Sequence, residues 1–203
     1  MSPGRILPLV VFATQNRGKA RELEALLAGI ASRFESLRDH PEVPLPPEEE
    51  ASYTANALAK ARAVSAALSL PAIGDDSGLE VDALGGAPGI RSARFAGEGA
   101  GDAANNALLL NRLRGVPAER RTAQFRCVLA FVDPRDAREV TAEGLCVGTI
   151  LESPRGNHGF GYDPLFLPRG GSRSFAELTG EAKDAMSHRG RAAKALRAKL
   201  GST

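Results

Sequence analysis

Two cysteines, Cys127 and Cys146, are all the chain contains. They are too few and too far apart for a disulfide framework or a zinc knuckle, and both are expected as reduced core residues. No run approaches the roughly 20 apolar residues that a membrane helix requires. An excess of one charge is missing too: 26 Lys and Arg stand against 24 Asp and Glu, a net of +2. With no overall field to draw it to nucleic acid or to an anionic membrane, the chain is expected to act on a small substrate. A signal peptide is not expected either. The apolar run Ile6–Phe12 is short, carries Pro8, and leads into Thr14-Gln15-Asn16 without a small-residue cleavage pattern, which reads as a buried strand in a cytoplasmic protein. A Walker A loop is absent, because Ala13 stands where its first Gly is needed and Ala20 follows Lys19. No internal repeat or low-complexity tract appears.

What is present suits a single globular domain over residues 1–203, with 43% hydrophobic and 25% charged residues. The central stretch is Ile73-Gly74-Asp75-Asp76-Ser77-Gly78-Leu79. Asp, Ser and Gly are turn residues, so a tight turn holding two carboxylates is expected. Such a pair attracts a divalent cation, and magnesium in particular takes one or two protein carboxylates and leaves its other positions to water and substrate phosphates. Sharing a turn, Asp75 and Asp76 would raise each other's proton affinity unless a metal intervened.

Leu9–Ala13 followed by Leu23, Leu26, Leu27 and Ile30 predicts strand, loop, amphipathic helix. The intervening Thr14 to Lys19 is placed to hold a phosphate at the helix N-terminus, where unpaired N–H groups and the dipole favour an anion. Residues 39–50, with four prolines and then Glu48-Glu49-Glu50, predict a long surface loop whose acidic end could reach a metal at Asp76. The next helix is expected from about Ser52, with Leu58, Ala61, Ser65 and Leu68 on one face, Lys60 and Arg62 off it, and Pro71 closing it. Gly85–Phe95 predicts a wrapping loop, Gly97–Gly101 a flexible connection, and the stretch from about Asp102 a helix. Alternation at Phe125, Cys127, Leu129 and Phe131, then a second run over 139–150, predicts an antiparallel hairpin and hence a mixed sheet. Gly156–Phe166 sets two aromatics among glycines, an arrangement able to stack on a base. Ser187 is an N-cap candidate, and His188 and Arg189 then oppose the dipole of the helix they open, a placement that a ligand would explain.

Taken in order, Thr14-x-Asn16-x-Gly18-Lys19, Gly74-Asp75-Asp76-Ser77-Gly78-Leu79, Gly85-Gly86-Ala87-Pro88-Gly89-Ile90 with Ser92-Ala93-Arg94, Phe160-Gly161-Tyr162-Asp163-Pro164 and Ser187-His188-Arg189 resemble the inosine triphosphate pyrophosphatase family over nearly the whole chain. The resemblance implies an α/β fold: an elongated mixed β-sheet flanked by helices, in two lobes with a substrate cleft between them. It implies hydrolysis of non-canonical purine nucleoside triphosphates (ITP, dITP, XTP) to monophosphate and pyrophosphate, with magnesium as cofactor and a homodimer as assembly. By the same resemblance Thr14, Gln15, Asn16, Arg17, Gly18 and Lys19 bind the triphosphate, Asp76 is the catalytic acceptor and a metal ligand, and Ser77 touches substrate. Phe160, Gly161, Tyr162, Asp163, Lys183, His188 and Arg189 hold the nucleoside. The chain departs from the family at its acidic loop, where Glu48-Glu49-Glu50-Ala51 replaces the usual Glu-Glu-Thr-Gly; Glu48 is the choice for the second metal ligand and Glu49 the next. Two rivals remain: a pyrophosphatase acting on other modified or canonical triphosphates, and a nucleotide-binding regulator without turnover. Ser187-His188-Arg189 speaks against a pyrimidine enzyme, and the acid pair with Lys19 against a protein that only binds.

Overall fold

The computed structural model describes residues 6–47 and 52–201. Strand β1 (Val10–Phe12) leads to helix α1 (Arg17–Leu26), which starts where it does because Asn16 Oδ1 accepts the Lys19 backbone N–H at 3.1 Å. The helix stops before Ile30: Leu27 is its cap, and Gly29 takes φ 91, turning the chain away. Ile30 still packs on the same core, from the loop. Strand β2 (Phe34–Ser36) is too short to show a period and is not legible in the sequence. Helix α2 (Tyr53–Leu68) is capped by Ser52 Oγ on Ala55 N–H at 3.1 Å and ends at Ser69, in the left-handed region, ahead of Pro71. Then come β3 (Ala72–Val81), short 3₁₀ turns at Asp82–Leu84 and Gly89–Arg94, α3 (Gly101–Arg112) and the long strands β4 (Thr122–Asp133) and β5 (Arg138–Ile150). The chain closes with β6 (Phe166–Pro168), α4 (Gly180–Met186) and α5 (His188–Gly201).

The strands form one mixed sheet in the order β2-β1-β3-β4-β5-β6. β1 runs parallel to β2 and β3, with Val11 opposite Glu35 and Ala72, whereas β5 and β6 are antiparallel, with Thr149 opposite Leu167. β4 and β5 are the expected hairpin.

The tight turn expected at Asp75-Asp76 is not there. Residues 72–81 form one unbroken strand, because long-range packing overrides the turn preference of Gly, Asp and Ser. Strand alternation sends Ile73 and Asp75 to one face, and Ala72, Gly74 and Asp76 to the other. Gly74 is required by close approach of α2, since a Cβ there would overlap the Ala57 carbonyl.

The chain divides into two compact units, one made of the residues up to Asp76, Cys127–Gly144 and the stretch from Arg189, the other of Ser77–Arg126 and Leu145–His188. The first is layered. Val10, Phe12, Ile73, Cys127, Leu129 and Phe131 meet Leu23 and Leu27 beside α1's buried face and Ala192, Ala193 and Leu196 of α5. On the opposite face, Val11, Ala13 and Ala72 pack with Val64, and Val128, Ala130 and Val132 with Ala57 and Ala61 of α2. Each fully buried leucine in such a layer contributes about 2 kcal/mol. The second unit closes over Leu79, Val81, Phe125, Cys146, Ile150, Phe166 and Phe175, with Leu109 and Leu113 of α3. Its Arg121 is buried and gives hydrogen bonds to the carbonyl of Leu113, the cap of α3, and to that of Val116 in the loop that follows.

Candidate active site

In the first unit, Asp75 and Asp76 meet different partners because they lie on different faces of β3. Asp75 is 2% exposed; its Oδ1 accepts from Lys19 Nζ at 2.5 Å and its Oδ2 from Arg189 Nε at 2.8 Å, with Cys127 Sγ at 3.4 Å. Arg189 also gives Nη1 to Glu22 Oε2 at 2.5 Å. Burial pushes the Asp75 carboxyl up, but the charges of Arg189 and Lys19 outweigh it and hold the group well below its ordinary value. Burial and the neighbouring Asp75 charge push the Cys127 thiol well up, so it is a poor nucleophile, as its place on the apolar face of β4 implied.

Asp76 is 3% exposed and faces α2. Lys60 Nζ donates to its Oδ1 at 3.0 Å and Asn56 Nδ2 to its Oδ2 at 3.1 Å. Here burial wins over the Lys60 charge, and the carboxyl is raised above its ordinary value. The two aspartates therefore do not raise each other's proton affinity through a shared turn. One is over-compensated by cations and the other under-compensated.

The N-terminus of α1 lies in the same unit. Thr14 is buried, with its Oγ1 accepting from Asn16 N–H at 3.1 Å, while Gln15, Asn16 and Arg17 are exposed and Gly18 is half-buried. Lys19 opens this helix as expected, yet its ammonium is committed in part to Asp75.

In the second unit, the loop Phe160–Asp163 is fastened at every residue. Asp163 is 3% exposed and its Oδ2 accepts from Lys183 Nζ at 2.5 Å and from Phe160 N–H at 3.0 Å. A Cβ at Gly159 would overlap that carboxylate. Tyr162 gives its hydroxyl to the Ser92 carbonyl at 2.9 Å, and burial raises its pKa well above normal. The half-buried Phe160 ring lies 5.0 Å from Lys183 Nζ, which is 5.7 Å from Phe175. Phe175 stacks on Phe125 at 5.9 Å, and Phe125 on His188 at 4.6 Å.

The sequence model of the Ham1 family matches residues 10–199. The chain belongs to the Ham1 family. A dITP/XTP pyrophosphatase of Geobacter sulfurreducens is 50% identical over 192 residues, 95% of this chain and 96% of that one. Among solved structures, a HAM1 protein from Coxiella burnetii superposes with a TM-score of 0.84 at 36% identity, covering 97% of this chain and all of its own. A nucleoside-triphosphatase, dITP/XTP pyrophosphatase, from Mycobacterium abscessus does so with 0.72 at 47% identity, covering 93% and 97%. The mixed six-stranded sheet with flanking helices is thus the Ham1 fold.

Within this Ham1 chain, the expected site residues fall into two sets. Lys19, Asp76 and Arg189 join the Thr14–Lys19 segment in the first unit; Ser77, Phe160–Asp163, Lys183 and His188 belong to the second. Glu48 and Glu49 lie outside the described residues. Arg189, expected to hold the nucleoside, is buried and forms ion pairs with Asp75 and Glu22, which balance a cation at the start of α5. Lys60 is placed differently from expectation, since it lies not off the buried face of α2 but on it, 6% exposed. Lys60, Asn56 and Glu22 were not singled out from sequence. A signal for the first two existed: Asn56 and Lys60 are four apart, on one helical stripe flanked by Ala57 and Ala61, and so share the packed side.

The two aspartates differ in their fitness for a divalent cation. Both Asp75 oxygens are occupied by cationic side chains, so that residue is unsuited to a metal. Among the described residues Asp76 accepts one hydrogen bond at each oxygen, which leaves lone pairs for a cation, and burial raises its proton affinity. Among the described residues no group of three His, Cys, Asp or Glu forms a protein-only cage. A hard cation held by one or two carboxylates fits this chemistry.

Proposed function

We infer that this chain is a nucleoside triphosphate pyrophosphohydrolase, hydrolysing non-canonical purine nucleoside triphosphates such as dITP, ITP and XTP to monophosphate and pyrophosphate. The observation that carries the reading is Asp76: a buried carboxylate of raised proton affinity, steadied by Lys60 and Asn56, in the unit that also presents the N-terminus of α1. Asp76 takes the proton of the attacking water, and the two donors keep its oxygens pointed for that transfer. Lys19 spends one of its three N–H donors on Asp75 and turns the others to phosphate oxygens. Thr14 to Gly18 add backbone donors at the helix start. Ser77, the residue after Asp76, touches substrate.

Asp76 and Glu48 would hold magnesium, which, when bound, neutralises charge on the phosphate oxygens. On the nucleoside, Phe160 stacks on the base, and Asp163 fixes Lys183. The 6-oxopurine acceptors O6 and N7 are met by the donors Lys183 and His188, whereas adenine presents an amino donor at position 6 and is disfavoured. Arg189, assigned to the nucleoside by the family resemblance, also anchors the start of α5 through Asp75 and Glu22. The same reading takes the enzyme as a cytoplasmic homodimer acting on neither nucleic acid nor membrane; a net charge of +2 gives no overall field toward a polyanion.

The test is incubation of the purified chain with magnesium and a panel of ITP, dITP, XTP, GTP, ATP and pyrimidine triphosphates, detecting pyrophosphate separately from orthophosphate. Pyrophosphate from the 6-oxopurine set, with ATP poorer by up to roughly 10⁴-fold, is expected. Orthophosphate as product, or preference for a pyrimidine, would reject the reading.

A further inference from the structure

Outside the residues already assigned, α3 makes an unusual pair of contacts with the loop proposed to stack on the base. Gly161 stands between Phe160 and Tyr162 with φ 62. Its N–H donates to Asp102 Oδ2 at 2.7 Å and its carbonyl accepts from Asn106 Nδ2 at 2.9 Å. Asp102 and Asn106 are four apart, one turn of α3, so a single face of one helix takes both polar groups of a single residue. The same helix is tied to the preceding segment, because Asn105 is 2% exposed, accepts from Ala96 N–H at 2.8 Å and donates to the Ala93 carbonyl at 3.1 Å. Ser92, in that segment, receives the Tyr162 hydroxyl. Helix α3, residues 92–96 and the loop 160–163 are thus one hydrogen-bonded block.

We propose that Asp102 and Asn106 are positioning residues for nucleobase recognition, setting the pose of Phe160 by gripping both sides of Gly161. This rests on the assignment of Phe160 to base stacking. A residue at φ 62 held by two side chains has few alternatives while both contacts hold; when either is lost, Gly161 is held from one side only, and Phe160, still tied through its N–H to Asp163 Oδ2, shifts its ring out of the stacking plane. Asn106 is the stronger arm, since its side chain is half-buried and Asp102 is exposed. Binding of the base is affected, and the chemistry at Asp76 is not.

The experiment compares Asn106→Ala, Asp102→Ala and Asp102→Asn with the unmodified chain in dITP turnover, in inosine binding by calorimetry and in melting temperature. Expected for Asn106→Ala is a KM for dITP raised by roughly 10-fold, the scale of one well-placed hydrogen bond, with kcat unchanged. Inosine binding should weaken in parallel, while inhibition by tripolyphosphate, which reports only the phosphate end, stays the same. Asp102→Ala should act likewise but less, and Asp102→Asn, which keeps an acceptor oxygen for Gly161 N–H, should restore normal KM. In a Phe160→Ala background, Asn106→Ala should have no further effect, because the grip acts through that ring. A fall in kcat at unchanged KM, full additivity with Phe160→Ala, or normal KM in a folded Asn106→Ala would overturn the proposal. If the unmodified chain bound inosine but released no pyrophosphate from dITP, the activity reading would fail, and the inosine titrations would still decide the grip.

Discussion

At the scale of single residues, the neighbours Asp75 and Asp76 are shifted in opposite directions, the first by the cations that reach it and the second by burial. Asp75 has its folded pKa depressed below the ordinary 3.8. Its contribution to stability is therefore present at and above the unfolded value and is lost as pH falls through the folded one. Asp76 has the reverse sign: raised above 3.8, its contribution is present at low pH and is lost as pH rises through the folded value. In metal-free protein, Asp75→Asn should lower stability at neutral pH by about 3 kcal/mol, because Arg189 stays buried with its charge only partly balanced. It should also flatten the acid limb below 3.8 in a plot of melting temperature against pH. An unchanged acid limb would show that Asp75 is not the group holding Arg189. Lys19→Ala should raise the KM for dITP by about 10-fold through lost phosphate charge. Equal loss of inosine binding in calorimetry would make Lys19 purely structural.

At the scale of elements, β3 is the piece that sequence reading misjudged, and the reason is physical. Gly, Asp and Ser have local preferences for turns, whereas what makes 72–81 a strand is remote: α2 pressing on Gly74, and cations reaching Asp75 from α1 and α5. Local patterning does reveal α2, α3, the β4–β5 hairpin and α5, because each carries a long period or a clear cap, and it reveals the three-residue β1 because the apolar run around it is β-branched and buried. It misses β2 and β6, at three residues apiece, and α4, whose seven residues span only two turns. Within the candidate site, residue type alone singles out Asp76, Lys19 and Phe160 as candidates. The site was not legible where pairing across the chain decides the role, as for Lys60, Glu22 and the inward turn of Arg189. Close packing at Gly74 makes a sharp forecast: Gly74→Ala should cost about 3 kcal/mol or more in denaturant unfolding, because the added methyl meets α2 backbone, which cannot rotate away. A stable Gly74→Ala with normal turnover would mean that α2 is not held against β3 as described.

At the scale of the whole molecule, each unit carries a chemistry of its own. The first holds a carboxylate steadied by amide and ammonium donors, together with an anion-favouring helix start; the second holds a stapled aromatic loop with Lys183 and His188. The account stands or falls on Asp76 doing chemistry and not merely filling the core. Asn keeps an oxygen for Lys60 and a side chain of the same shape, so Asp76→Asn preserves the fold while removing the proton acceptor. The most direct measurement is pyrophosphate release from dITP by Asp76→Asn and the unmodified chain, at saturating dITP and magnesium, with melting curves alongside. Turnover lower by on the order of 100-fold or more at a near-normal melting temperature is the predicted result. Near-normal turnover by the folded variant would contradict it.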